Sequence, residues 1–380
     1  MSMRKSWKTL TMADVADITD YVANGSFASL RENVTYKSEK DYAILVRLAD
    51  YSNGFDDSKY VYIDKHSYDF LAKSSLQGGE IIMSNVGSVG KLFICPDLGM
   101  PMSLAPNTIV IKTEYNRFYY YLLSSTHYQN QIQSITSKTA LPKFNKTSFK
   151  KIEVSIPPLE KQERIVAELD LLTGIIDKQK QQLKELDTLA QSIFYDMFGN
   201  PEENTKCWRT EKLQTICTSL FAGGDVPKDN YSETKSETYN VPILSNGVGD
   251  KAVYGYTNKA RVFDECITIS GRGTIGYCEV RSEPFFPVVR LIVAVPNKDV
   301  LLPIVLKYIV DSLHLHGVGV AIPQLTIPMV KNVSIILPSM EMQCLFAKII
   351  QSIESQKDSI NRSIAESQKI FDYTMDKYFG

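Results

Sequence analysis

The feature that most constrains this chain of 380 residues is an internal repeat. One copy opens on Trp7-Lys8-Thr9-Leu10 and the other on Trp208-Arg209-Thr210, with Leu213 following. Each copy carries a Ser/Gly loop, Ser84-Asn85-Val86-Gly87-Ser88-Val89-Gly90 and Ser270-Gly271-Arg272-Gly273-Thr274-Ile275-Gly276, with the serine and two glycines in register. From residue 141 onward the copies keep a constant offset of 181, so that Pro142 matches Pro323, Lys150 matches Lys331 and Pro157 matches Pro338. Glu160, Gln162 and Asp177 match Glu341, Gln343 and Asp358, and both copies close alike, on Phe198-Gly199 and Phe379-Gly380. These are turn and boundary residues arriving in one order, which marks a duplicated architecture. The copies differ in length only before residue 141.

The shared tail reads as a long helix. After Ile156-Pro157-Pro158, with proline suited to a first turn, apolar residues recur at alternating spacings of four and three. They are Ile165, Leu169, Leu172, Ile176, Leu183, Leu186 and Ile193 in one copy and Ile350, Ile353, Ile360, Ile364 and Phe371 in the other, with Gln179, Lys357 and Ser367 as polar intrusions that would help fix register. This is an a/d heptad pattern, and a helix of roughly 39 residues would run about 58 Å. Each stripe needs an apolar partner, so the two helices are expected to pack on each other. A two-fold relation between the copies would make them antiparallel, with one globular part at each end and Gly380 near the N-terminal region.

The globular parts look mixed. Strand-like runs are Ala43–Val46, Glu80–Met83, Thr108–Ile111, Cys266–Ile269 and Val289–Val293, with helical stretches at Arg117–Ile132 and Pro303–Leu315. The expected fold class is α/β (α+β): two similar globular domains, 1–157 and 201–338, separated by a pair of long antiparallel coiled-coil helices, 158–200 and 339–380, in a pseudo-two-fold repeat.

A formal net charge of −1 argues against a simple polycation that coats nucleic acid. Residues 1–157 carry 18 basic and 15 acidic side chains, and residues 201–338 carry 14 of each, so any affinity for DNA would have to come from local patches, with a partner able to supply much of the attraction. The six cysteines form no CxxC pair, which points to buried free thiols and no zinc. The start of the chain lacks an apolar signal core and no run reaches membrane-spanning length, so a cytoplasmic protein without membrane contact is expected. The chain has no glycine-rich nucleotide loop with an Asn/Asp-Pro-Pro-aromatic site, no convincing nuclease companion for Pro96-Asp97 and no Walker loop. Phe221-Ala222-Gly223-Gly224-Asp225 reads as a turn. Catalytic residues: none is read, and the four histidines read as surface or core residues.

The run Pro157-Pro158-Leu159-Glu160-Lys161-Gln162-Glu163-Arg164-Ile165-Val166, with the Ser/Gly loops and the Trp-initiated copies, resembles the specificity subunits of type I restriction-modification enzymes over the whole chain. The second copy departs from the motif, with a single proline at Pro338-Ser339 and Cys344-Leu345 in place of Glu-Arg, so Glu163 and Arg164 have no counterpart there. The resemblance implies that each globular domain is a target-recognition domain reading half of a bipartite double-stranded DNA target in the major groove. It implies helices that set the unread gap and dock two modification methyltransferase subunits, with restriction/translocase subunits joining them. S-adenosylmethionine, ATP and Mg would sit on those partners, and this chain would hold no cofactor and no metal. In that light Asn85, Ser88, Arg272 and Thr274 are candidate base readers, being short polar or Arg side chains in glycine loops that let backbone approach closely. Lys138, Lys143 and Lys146 lie in a basic loop suited to phosphates, and its less basic counterpart offers His316 and Gln324. Two other readings stay open: a bipartite protein-interaction scaffold, and a fused methyltransferase-nuclease with diverged motifs.

Overall fold

A computed structural model describes residues 7–315 and 324–380. The chain divides into two compact units, Met1–Lys178 with Ile364–Gly380, and Gln179–Ser363. The division falls inside both long helices, Leu159–Phe198 and Met340–Phe379, and not at residue 157 or 338. The cause is packing, because the two ends of each helix are built into different cores.

In the first unit an antiparallel sheet runs Ala16–Asp20, Thr108–Thr113, Ile81–Ser84, Leu92–Ile94 in spatial order. The middles of its central strands, Ile81–Met83 and Ile109–Ile111, are unbroken apolar runs because both faces are covered there. Ile81, Met83, Ile109 and Ile111 face helices Asn116–Ser124 and Thr126–Ser134 together with Ile165, Leu169 and Phe379, while Ile82 and Val110 face a second, five-stranded sheet. The second unit repeats this plan with Cys217–Ala222, Ile292–Pro296, Cys266–Ile269, Cys278–Arg281 in the same spatial order. Helix Pro303–Ser312 and Phe194, Phe198, Phe346 and Ile350 cover one face. Here the second sheet has three strands, which is where the copies differ in length. In both units the opening strand pairs antiparallel with the strand that precedes a long helix, Lys8–Thr11 with Glu153–Ile156 and Arg209–Lys212 with Ser334–Leu337.

The long helices pair side by side within the second unit. Gln179 Nε2 donates to Ser363 Oγ at 2.7 Å, Lys357 Nζ lies 2.8 Å from Asp187, and Phe194 meets Phe346 at 5.7 Å between ring centres. Numbers rise along one helix as they fall along the other, so the pair is antiparallel. In the first unit Tyr378 donates to Glu168 at 2.6 Å. Of the heptad positions, Ile165, Leu169, Ile176, Ile350 and Ile353 are buried, while Leu172, Leu183, Leu186, Ile193, Ile360, Ile364 and Phe371 are half-buried. Val166, Phe194, Phe198, Met375 and Phe379 are buried too, because the helix ends pack on the globular cores and the apolar stripe widens there beyond a/d.

The repeated glutamine locks each strand-to-helix junction. Gln162 Nε2 donates to the Pro157 carbonyl at 2.9 Å, and Gln343 Nε2 to the Pro338 carbonyl at 2.9 Å. Gln343, itself fully buried, also donates to the Val300 carbonyl at 3.0 Å and accepts from the Leu302 N–H at 2.9 Å, both of half-buried residues. Each glutamine thus ties the end of its strand, five residues back, to the first turn of the long helix. Gln343→Leu removes the partner of three backbone groups, the buried Pro338 carbonyl among them, and should lower unfolding free energy by about 1–3 kcal/mol, read by urea titration.

Three local readings change. The helix expected at Arg117–Ile132 is two, because Ser125 leaves helical geometry (φ −69°, ψ 151°) and its hydroxyl donates back to the Leu122 carbonyl at 2.8 Å. The strand expected at Val289–Val293 starts at Ile292, since Val289 and Arg290 take left-handed backbone, φ 52° and 62°. Burial pushes the thiols of Cys95, Cys217 and Cys266 up to about 12 and raises that of Cys278 well above its ordinary value, but Cys207 and Cys344 are exposed, against the expectation of buried thiols throughout. Among the described residues no helix is long and apolar enough to cross a membrane.

Candidate nucleic-acid interface

Each glycine loop is the turn of a hairpin in the central sheet, Ile81–Ser84 to Leu92–Ile94 and Cys266–Ile269 to Cys278–Arg281. Its backbone bonds recur at an offset of 186. Ser84 N–H donates to Lys91 O at 2.8 Å and Ser270 N–H to Tyr277 O at 2.9 Å; Gly90 N–H donates to Ser84 O at 3.0 Å and Gly276 N–H to Ser270 O at 2.9 Å. Gly87, Gly90, Gly273 and Gly276 all sit at φ between 67° and 84°, the left-handed region that calls for glycine. The turn holds Ser88 and Thr274 out, both exposed.

A second loop returns onto each turn. Phe144 N–H donates to Asn85 O at 3.1 Å, and Leu325 N–H donates to Gly271 O at 2.8 Å. In the first unit residues 137–143 close on themselves through Ser137 N–H to Lys143 O at 2.9 Å and Lys143 N–H to Ser137 Oγ at 3.1 Å. Lys138 and Lys143 are left exposed, and among the described residues neither has a carboxylate within ion-pair distance. Lys146 is half-buried and held by Asp20 at 3.1 Å, so much of its charge is answered inside the protein. Asn85 turns inward as well. Its Nδ2 donates to Phe144 O at 3.4 Å, and its buried Oδ1 has no partner among the described residues.

Between these loops and helix Phe27–Asn33 lies a cavity of about 940 Å³ lined by Tyr21, Arg31, Tyr36, Val86, Asn107 and Lys143 among others. Phe27 is 82% exposed at its edge. Burial, and then the Tyr36 hydroxyl 3.2 Å away, push the Tyr21 phenol well above its ordinary value, so it stays a neutral hydrogen-bonding group. Cationic and aromatic side chains around a groove suit phosphates and stacked or unstacked bases.

In the second unit Arg272 donates through Nε and Nη2 to Gln324 Oε1 at 3.1 and 2.8 Å. His316 lies outside the described residues. Three residues that the sequence reading passes over belong here. Asn246 accepts from Gly271 N–H at 2.7 Å and donates to Val289 O at 2.7 Å, which ties the glycine loop to the left-handed turn. Arg290, exposed on that turn, donates to the same Gln324 oxygen at 3.2 Å. In the first unit, Asn107 is left-handed at φ 68° and its carbonyl accepts from Asn85 N–H at 3.1 Å. Asn107 before an apolar run was a readable turn signal, whereas Val-Val-Arg before Leu-Ile-Val reads as strand. Among the described residues no three His, Cys, Asp or Glu side chains lie together as metal ligands would.

The family model described as the type I restriction modification DNA specificity domain matches twice, over residues 4–188 and 205–368. A putative type I specificity subunit of Mycoplasma pneumoniae, S.MpnORF507P, is 30% identical over 204 residues, 53% of this chain and little more than half (55%) of that protein. The putative specificity subunit of the MjaX type I restriction enzyme of Methanocaldococcus jannaschii is 26% identical over 391 residues, 92% of this chain and 87% of its own length. The crystal structure of a type I restriction-modification S subunit from M. genitalium shares the fold at a TM-score of 0.56 and 14% identity, covering 100% of this chain and 98% of that one.

Proposed function

The chain belongs to the family of type I restriction-modification DNA specificity domains, and we propose that it is the DNA-reading subunit of such an enzyme, one half-site per copy. The observation that carries this reading is the twice-built loop pair, in which a glycine-rich hairpin turn and a returning loop meet through the same backbone bonds on two similar sheets. A duplicated scaffold with unlike loop side chains suits a target of two unlike halves. The paired long helices act as the spacer that sets the gap, and they dock two methyltransferase subunits. Those subunits bind S-adenosylmethionine and transfer the methyl group. Restriction/translocase subunits use ATP and Mg, and this chain contributes binding alone. With a net charge of −1, it holds DNA well only inside that assembly.

Selection from a randomised duplex library by the chain assembled with its modification subunits tests this. Two short constant blocks, separated by a run of fixed length with no base preference, are expected. One uninterrupted block, or no selection at all, would overturn the reading.

A further inference from the structure

Aligned by hydrogen bonds, the copies correspond at three positions that no single sequence offset reveals. The shared turn bonds set Val86 against Arg272. Strand register sets Ile109 opposite Met83 and Ile292 opposite Ile269, and two residues before each come Asn107 and Arg290. Both are left-handed, at φ 68° and 62°. Lys143 and Gln324 precede Phe144 and Leu325, whose N–H groups bond to equivalent loop carbonyls. The three offsets are 186, 183 and 181, which is why the correspondence is hidden in the linear chain.

In each copy the three positions converge. Val86 forms a backbone bridge with Lys143, and both line the 940 Å³ cavity with Asn107. Arg272 and Arg290 both donate to Gln324 Oε1, at 2.8 and 3.2 Å for the nearest nitrogens, and among the described residues neither has a carboxylate partner. Two guanidinium groups on one neutral oxygen repel each other, and among the described residues most of their N–H donors are uncommitted. The arrangement is completed by a group presenting two or more acceptors. Arg290 also occupies a conformation that suits asparagine or glycine, and such strain is retained where the direction of a side chain matters.

We propose that these are the base-reading triads of the two copies, with Arg272 and Arg290, oriented by Gln324, reading the O6/N7 edge of guanine. The first copy presents Val86, Asn107 and Lys143 at the same positions. A valine methyl suits the thymine methyl and an asparagine suits adenine, so the first copy reads a different half-site with the same scaffold. A neutral amide that fixes the plane of a guanidinium serves a planar bidentate target, which the O6/N7 edge of guanine presents.

The inference rests on the specificity-subunit reading, and its test separates the two. The full chain with its modification subunits selects from randomised duplexes as wild type, as Arg290→Asn and as Asn107→Arg. Arg290→Asn installs the residue the first copy uses there, which tolerates left-handed backbone, so folding is preserved. Preference for guanine at one position of one half-site should fall by about tenfold to a hundredfold, with the other half-site unchanged. Asn107→Arg should alter the other half-site only. A uniform loss of affinity with base preference intact would make Arg290 a phosphate contact and overturn the triad, as would an unchanged preference. A wild-type chain that selects no bipartite site would overturn the specificity reading itself, before any variant is compared.

Discussion

Transplanting the first reader from a related chain should replace one half of the target entirely and leave the other half and the gap as they were. The boundary decides how well the hybrid folds. A transplant ending at residue 157 separates Phe118, Ile109 and Ile111 of the donor from the side chains they pack against, Ile165, Leu169, Met375, Tyr378 and Phe379. Phe118 and Phe379 meet edge to face at 5.7 Å, so this seam is tightly packed. Mismatched packing at such positions costs about 1–3 kcal/mol each, against a total of about 5–15 kcal/mol for a domain. Hybrids that carry Met1–Lys178 together with Ile364–Gly380 keep the core whole and should melt close to the parent. Hybrids cut at 157 should melt lower while switching the same half-site. Library selection and thermal melts read the two effects separately, and a change in both half-sites would contradict one reader per copy.

The repeat was legible because its landmarks are imposed by local geometry. Prolines, the junction glutamines and Phe-Gly endings recur wherever a strand must turn into a helix or a helix must stop, as Gly199 does at φ 76°. The helices were legible through their period. The cavity was not, because it is assembled from a helix, a hairpin turn and a returning loop far apart in sequence. The left-handed turn at Val289-Arg290 was equally hidden. It is held by Val289 N–H to Gly224 O at 2.8 Å and Arg290 N–H to Gly223 O at 3.0 Å, bonds to a segment that by itself reads only as a turn. A Cβ on Gly223 would lie 2.6 Å from the Pro287 carbonyl carbon, so glycine there permits the close approach that bends the chain at Val289. Tertiary bonds thus override the strand preference of a β-branched residue. The basic loop illustrates the reverse case: Lys138, Lys143 and Lys146 look alike in sequence, and only packing separates the exposed pair from the one tied to Asp20.

Phe346→Ala should cost about 3–5 kcal/mol of unfolding free energy, the range for emptying a fully buried aromatic site. Phe346 is completely buried and meets three other rings, Tyr308 at 5.1 Å, Phe198 at 5.2 Å and Phe194 at 5.7 Å, each edge to face. The rings come from both long helices and from helix Pro303–Ser312, so each is held by backbone that cannot easily collapse into the space vacated. Edge-to-face pairs also contribute about 0.5–1.5 kcal/mol each beyond their buried area, which places the loss toward the upper end. Phe346→Leu keeps most of the volume and should lose less than half as much. Urea titration of the two variants checks the difference. The cluster joins the helix pair to the sheet that carries Arg272 through the helix Pro303–Ser312, which packs on the strand Cys266–Ile269. A variant that still folds should therefore show weaker base discrimination in the second half-site at temperatures below its melt, where the sheet stays formed but its anchorage loosens. Equal discrimination across that range would mean that the reading loops are held by the sheet alone.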